Sequence, residues 1–338
     1  YLNIPTTRSL AVVETGEKVF RETPLKGAIL TRIAASHIRF GTFQFLAAHK
    51  DIDAMSKLLD YCIKRHFPEI IDSPNKVIKF IELVMSKQID LIVNWMRVGF
   101  IHGVMNTDNS TICGETIDYG PCAFMDQYDH KAVFSSIDFQ GRYAYGNQPA
   151  TIHWNLIRLV ESLVPLIDKD ETKSIEIAQK TIDSFNEIFN ETWKNMMRSK
   201  LGLTDRSEEN DALIRDLLTW MQSKKPDFTN TFCNLMDINH ANDEEFEDSD
   251  FVLWKKNWKE RVNNNDCLNI MKKTNPILIP RNYLVEEALN EAETEGKFTK
   301  FNELLAVLSN PYEQFDIDDK YYKTPQIKAE PYKTFCGT

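Results

Sequence analysis

Between Ser73–Pro74 and Gly99, the apolar residues Val77, Ile81, Val84, Leu91 and Trp95 recur roughly at helical spacing. Ser73 followed by Pro74 reads as a cap with proline in the first turn, and Gly99 reads as a stop. The spacing predicts a long buried helix that delivers the chain directly to His102. A chain of 338 residues with a 42% apolar fraction, 20 Phe, 11 Tyr and 6 Trp has the means to bury a core around it.

The flanks of this helix differ in kind. Residues 1–35 read as strands: SLAVVE and KVFRE flank a Thr15–Gly16 turn signal, which predicts a hairpin, and GAILTRIA is a third apolar run. From Ser36 the pattern turns helical. Residues 101–148 lose periodicity and are rich in Gly, Asn, Asp and Tyr, the mark of a long irregular loop region, which in a compact domain is usually functional. After Pro149 helices resume at about 150–164, 172–201 and 206–223, with Ile152, Leu156, Leu159 and Leu163 on one face of the first. Further helices are expected at 283–295 and 299–309, and the acidic stretch DEEFEDSD at 243–250 as a solvated loop or helix entry. No internal repeat is visible. The expected fold class is mainly α with a small β portion at the N-terminus.

Composition narrows the function classes. Forty Lys and Arg against 50 Asp and Glu leave a net charge of −10 with no basic run, which argues against a nucleic-acid binder. No stretch approaches 18 uncharged apolar residues, so no membrane span is expected. The opening YLNIPTTRSL lacks the layout of a signal peptide, and it lacks an initiator Met, so the start reads as a boundary within a longer protein. Cysteines at 62, 113, 122, 233, 267 and 336 show no zinc spacing and read as reduced thiols of a cytosolic protein, with Cys336 in the terminal FCGT standing apart.

The segment IHGVMNTDNSTICGETIDYGP carries the chemistry. Protein kinases use H-R-D-x-x-x-x-N, in which the Asn binds magnesium, followed by D-F-G, whose Asp also holds magnesium. Here Asn109 lies seven residues after His102, and Asp118-Tyr119-Gly120 follows Asn109 by nine. An amide and a carboxylate are the hard oxygen ligands that Mg2+ with bound phosphates takes. The kinase base would sit at position 104, where this chain has Val104. Asp108 is the carboxylate that can replace it, and it also reads as a turn residue bonding its own backbone. His102 reads as a buried residue orienting the loop rather than as a proton carrier.

The segments LTRIAASHIRFGTFQFLAAH, HGVMNTDNSTICGETIDYGP, QGRYAYGNQPATIHWNLIRL and NPILIPRNYLVEEAL resemble the selenoprotein O family, pseudokinases that act as protein adenylyltransferases. The resemblance runs from about residue 4 to the end. It implies strands remaining from an N-terminal lobe at 1–35, a kinase-like C-lobe with the catalytic and metal-binding loops at 36–165, and a C-terminal helical region and tail at 166–338. It implies Asp108 as the base toward a Ser, Thr or Tyr hydroxyl of a target protein, with Asn109 and Asp118 holding Mg2+ or Mn2+. Arg32 in LTRIA and Arg39 in HIRFG, which spacing alone would leave as surface arginines, would grip the terminal phosphates of ATP bound in reversed orientation. Asp118 would contact the same nucleotide. The α-phosphate then faces the hydroxyl, so AMP is transferred.

Two further expectations come with the resemblance. The family's glycine-containing nucleotide loop, its phosphate-binding Lys and that residue's Glu partner have no counterpart here; Lys18 and Lys26 follow no such signature. The chain by itself is therefore expected to be poorly active. Family members carry selenocysteine or cysteine near the C-terminus, so Cys336 pairing with a loop cysteine such as Cys122 would lock the site. A nucleotide-binding scaffold without catalysis and a conventional phosphotransferase using Asp108 remain the alternatives. The expected location is cytoplasmic, or mitochondrial for a eukaryotic member whose targeting segment lies upstream.

Overall fold

The computed structural model describes residues 1–20, 24–238, 244–262, 265–314, 317–323 and 332–335. The expected balance of helix and strand is observed. Strands β1 (Arg8–Phe20) and β2 (Pro24–Ile33) form an antiparallel pair. Helices α1 (Phe40–Ala48), α2 (Ile52–His66) and α3 (Lys76–Val98) follow. A two-residue pair, β3 (Phe100–Ile101) with β4 (Ala123–Phe124), brackets the loop that starts at His102. The rest is helical: α4 (Gln148–Leu163), α5 (Glu171–Asp183), α6 (Phe185–Lys200), α7 (Glu208–Lys224), α8 (Phe228–Leu235), α9 (Ser249–Lys259), α10 (Asn265–Thr274), α11 (Asn282–Glu295) and α12 (Thr299–Leu308).

The long helix lies at the centre. Its first turns bury one stripe, Val77, Phe80, Ile81, Val84 and Met85, as an amphipathic helix does. From Leu91 onward it is buried almost all round and packs against α4 and α6. Gly99 ends it in the left-handed conformation (φ 73°), which costs a residue without Cβ little. Asn75, not Ser73, is the N-cap residue, so the helix begins after Pro74. The core around α3 runs through buried residues from Phe40 to Met271. A smaller cluster, built from Ile277, Leu278, Leu284, Leu304, Tyr321 and Tyr322, holds α11 and α12 together.

Two expected elements come out differently. SLAVVE and KVFRE do not pair with each other: Ser9–Glu14 and Lys18–Phe20 both belong to β1, Arg21 and Glu22 lie outside the described residues, and GAILTRI, within β2, is the partner. Gly16, at φ 75°, makes an irregularity in the ladder between Glu14 and Lys18 instead of a reversal. The expected helix at 172–201 is two helices that meet at Ser184, whose hydroxyl donates to the Thr181 carbonyl at 2.7 Å. That hydrogen bond engages a carbonyl of the α5 terminus, and Phe185 then starts α6 with its ring fully buried. In the acidic stretch, Asp248 caps α9 and accepts from Lys224 Nζ at 2.6 Å and Trp220 Nε1 at 2.9 Å.

One buried ionic cluster ties distant segments together. Arg281, almost wholly buried, donates from Nη1 to Asp126 Oδ1 and Asp227 Oδ2, each at 2.7 Å, and from Nη2 to the Tyr322 carbonyl at 2.9 Å. Among the described residues no helix is long and apolar enough to cross a membrane.

Candidate active site

The loop after α3 is held by contacts between its own two ends and by buried side chains from α3 and α4. Gly103 takes φ 82°, and a Cβ there would lie 2.5 Å from the Pro121 carbonyl oxygen, so the chain can pass this close to the segment after Gly120 only as glycine. His102 is fully buried. Its Nε2 lies 2.8 Å from the Ile117 carbonyl, and its Nδ1 accepts weakly from the Val104 amide at 3.4 Å. This pattern assigns the neutral tautomer protonated on Nε2, and burial lowers the imidazole's proton affinity accordingly. His102 thus pins the residue before Asp118 to its own loop, the orienting role read from the sequence.

From α4, Gln148 bridges the Phe100 carbonyl and the His102 amide, each at 3.1 Å. Two turns further, Asn155 donates to the Met105 carbonyl and the Ser110 hydroxyl, each at 2.9 Å. From α3, Gln88 donates to the Thr111 carbonyl at 2.6 Å. These three side chains are buried and polar on helices whose inward residues are mostly apolar. Sequence reading did not single them out; a polar residue interrupting an apolar helix face was the available signal.

The loop so fixed brings three of the expected residues into one place. Asn109 Nδ2 donates to the Val104 carbonyl and to Asp118 Oδ2, each at 2.9 Å. Asp118 adopts φ 62°, and its Oδ1 accepts from the Gly120 amide at 3.3 Å. Asp108 sits one residue before Asn109 in a short 3-10 turn and is exposed. Arg39, at the N-terminus of α1, donates from Nη1 to the Asp108 carbonyl at 3.2 Å. The backbone beside it pairs with the loop, Phe40 N to Ser110 O at 2.9 Å and Ile112 N to Ile38 O at 3.0 Å. Arg32 lies apart from this group: it is exposed on β2 opposite Ser9, with no side-chain partner among the described residues.

Tyr143 also reaches the site. Its hydroxyl donates to Asn106 Oδ1 at 2.7 Å, and partial burial, with smaller contributions from the Asp138 and Asp108 charges, raises its pKa. The tail returns here as well. Thr334 donates to the Pro121 carbonyl at 2.6 Å and to the Phe134 carbonyl at 2.8 Å, and accepts from the Ser136 amide at 2.9 Å. Cys122 is a free thiol whose pKa is pushed up to about 11 by burial, and Cys336 lies outside the described residues.

A metal fits the donor set. With Asn109 Nδ2 committed to Asp118 and Val104, its Oδ1 stays available beside the Asp118 carboxylate. The described residues hold no cluster of three His, Cys, Asp or Glu able to bind a metal without help. One carboxylate and one amide suit Mg2+ that takes its other oxygens from phosphates and water.

The family model described as "Protein adenylyltransferase SelO" matches residues 1–309. The chain belongs to the SelO family. Among relatives, "Protein nucleotidyltransferase YdiU" of Clostridium perfringens is 52% identical over 343 residues, spanning 100% of this chain and 70% of the relative. The proteins of the same name in Nitrosococcus oceani and Bacillus cereus are 49% and 51% identical over 342 residues, with 69% and 70% of their lengths covered. The motif-bearing loops described above all fall within the SelO match.

Proposed function

We propose that the protein carrying this chain transfers AMP from ATP to Ser, Thr or Tyr hydroxyls of other proteins, and that the chain by itself is poorly active. SelO membership makes it a nucleotidyltransferase; the acceptor, the nucleotide pose and the kinase-like character of the loops are our reading. The observation that carries it is the contact of Asn109 with Asp118 beside an exposed Asp108, with buried Val104 where a kinase base would be.

Asn109 Oδ1 and the Asp118 carboxylate would hold Mg2+ or Mn2+, which neutralises charge on the triphosphate when bound. Arg39 already lies against the Asp108 loop, and its remaining N–H groups suit phosphate oxygens of a reversed ATP. Arg32, on the neighbouring strand pair, is assigned to the same phosphates. The acceptor hydroxyl approaches Asp108, whose carboxylate takes its proton. The hydroxyl oxygen bonds to the α-phosphorus, the bond from that phosphorus to the α,β-bridging oxygen breaks, and pyrophosphate leaves with the electron pair. Fixed positions for base, metal ligands and Arg39 supply part of the positioning on which phosphate chemistry depends; the family's nucleotide loop and phosphate-binding Lys, which have no counterpart in this chain, would supply the rest.

The test uses the protein that carries this chain, with ATP labelled at either the α- or the γ-phosphate. Protein-bound label from the α-position supports the reading. Label from the γ-position points to a phosphotransferase, and no label from either points to a scaffold. Asp118→Ala removes a metal ligand and abolishes whichever transfer occurs.

A further inference from the structure

A cleft of about 910 Å3 opens between α4, α6 and α7. None of the candidate active-site residues lines it. Protein interiors rarely leave a void larger than a water molecule, and small-molecule sites commonly run from about 300 to 1,000 Å3. The size follows from the sequence. Along α6, Phe185, Phe189, Trp193 and Met197 recur every four residues and present one aromatic face, while α4 offers only Pro149, Ala150 and His153 opposite. Large side chains facing small ones leave space, and Phe189 and Trp193 stay partly exposed toward it.

The polar groups of the lining are amides, hydroxyls and two imidazoles; no Lys, Arg, Asp or Glu takes part. Asn186 and Asn190, one turn apart on α6, have side-chain amides that bond no described residue. Gln222 is fixed, accepting from the His130 amide at 2.9 Å and donating to Asp129 at 3.1 Å. The Asp129 charge is itself answered by Lys225 Nζ at 2.8 Å. His153 stacks on Phe185 with ring centroids 4.5 Å apart and planes 2° from parallel, and burial lowers its proton affinity. The wall is thus flat, largely aromatic and free of Lys, Arg, Asp and Glu, so a charged ligand would meet no fixed counter-ion in it.

We propose that this cleft is a second binding site, for a neutral, planar aromatic small molecule that stacks on the α6 face and bonds the Asn amides by its edge. The assignment stands on the cleft alone and does not depend on AMP transfer. The wall it would touch includes Tyr145, whose hydroxyl donates to the Met96 carbonyl at 2.8 Å and which follows Tyr143 by two residues.

The test titrates the full chain with 2-naphthamide and with 2-naphthoate, which share their rings and differ in charge, read by saturation-transfer NMR. Saturable naphthamide binding is expected, with naphthoate about tenfold weaker or worse. Ala150→Trp fills the cleft and should weaken naphthamide by a similar factor. If that variant misfolds, Trp193→Ala removes the stacking wall with the same expected loss. Excess ATP should displace nothing. Absence of saturable naphthamide binding, equal binding of naphthoate, binding that survives both variants, or displacement by ATP would each overturn the proposal.

Discussion

Gly103 and His102 hold the loop in place by different means. Gly103→Ala forces a side chain into the Pro121 carbonyl at a positive φ, and should cost at least about 1–3 kcal/mol in chemical denaturation while reducing transfer. His102 contributes through its neutral form. Its folded-state proton affinity lies below the ordinary value near 6.5, so the unfolded chain binds the proton first as pH falls. The stability it contributes is complete above about pH 6.5 and declines below it. His102→Gln should flatten that acid-side slope in urea titrations between about pH 5 and 7; an unchanged slope would place the titration elsewhere. His102, Asn109 and Asp118 were legible because their spacing within one loop carries the signal. Tyr143, Gln148 and Asn155 were not, because their contacts join residues 37 to 50 positions apart, which no local pattern records.

Elements were legible where one periodicity and one stop signal agree, as in α3 with Gly99. They were misread where a signal has two structural uses. Gly16 marks a reversal or a bulge equally well, and only the position of the partner strand decides between them. The continuous helical pattern of 172–201 hides the break at Ser184, which depends on a single hydroxyl-to-carbonyl hydrogen bond. Elements also differ in stability. Every residue of β1 is exposed, and Gly27 is the sole buried residue of β2, whereas α3 is enclosed on most sides from Leu91 onward. A two-stranded ribbon with so little burial is marginal in water. In this chain, hydrogen exchange should therefore reach the amides of β1 and β2 orders of magnitude sooner than those of 91–98. Equal protection would mean that the hairpin is stabilised by contacts beyond those described.

At the scale of the molecule, the Arg281 cluster joins the segment after β4, the start of α8 and the residues near Tyr322. Burial pushes the Asp126 carboxyl up to about 6 against the opposing pull of Arg281, so the cluster is costly to form and costlier to break. Arg281→Met removes the guanidinium that neutralises the buried Asp227 and the partly buried Asp126 and should destabilise by about 3–5 kcal/mol in equilibrium unfolding. Nothing in NPILIPRNY foretells this pairing, since its partners lie 155 and 54 residues away. The overall mix of helix and strand was readable, because composition and periodicity average over many residues.

The central claim is that Asp108, Asn109 and Asp118 form one site for nucleotidyl transfer to protein hydroxyls. Its most direct test is intact-mass spectrometry of a protein acceptor, treated with ATP and Mg2+ by the protein that carries this chain and by its Asp108→Asn and Asp118→Ala variants. The account predicts an added adenylyl group with the unmodified protein and none, or far less, with either variant. An added phosphoryl group, or adenylylation undiminished in both variants, would contradict it.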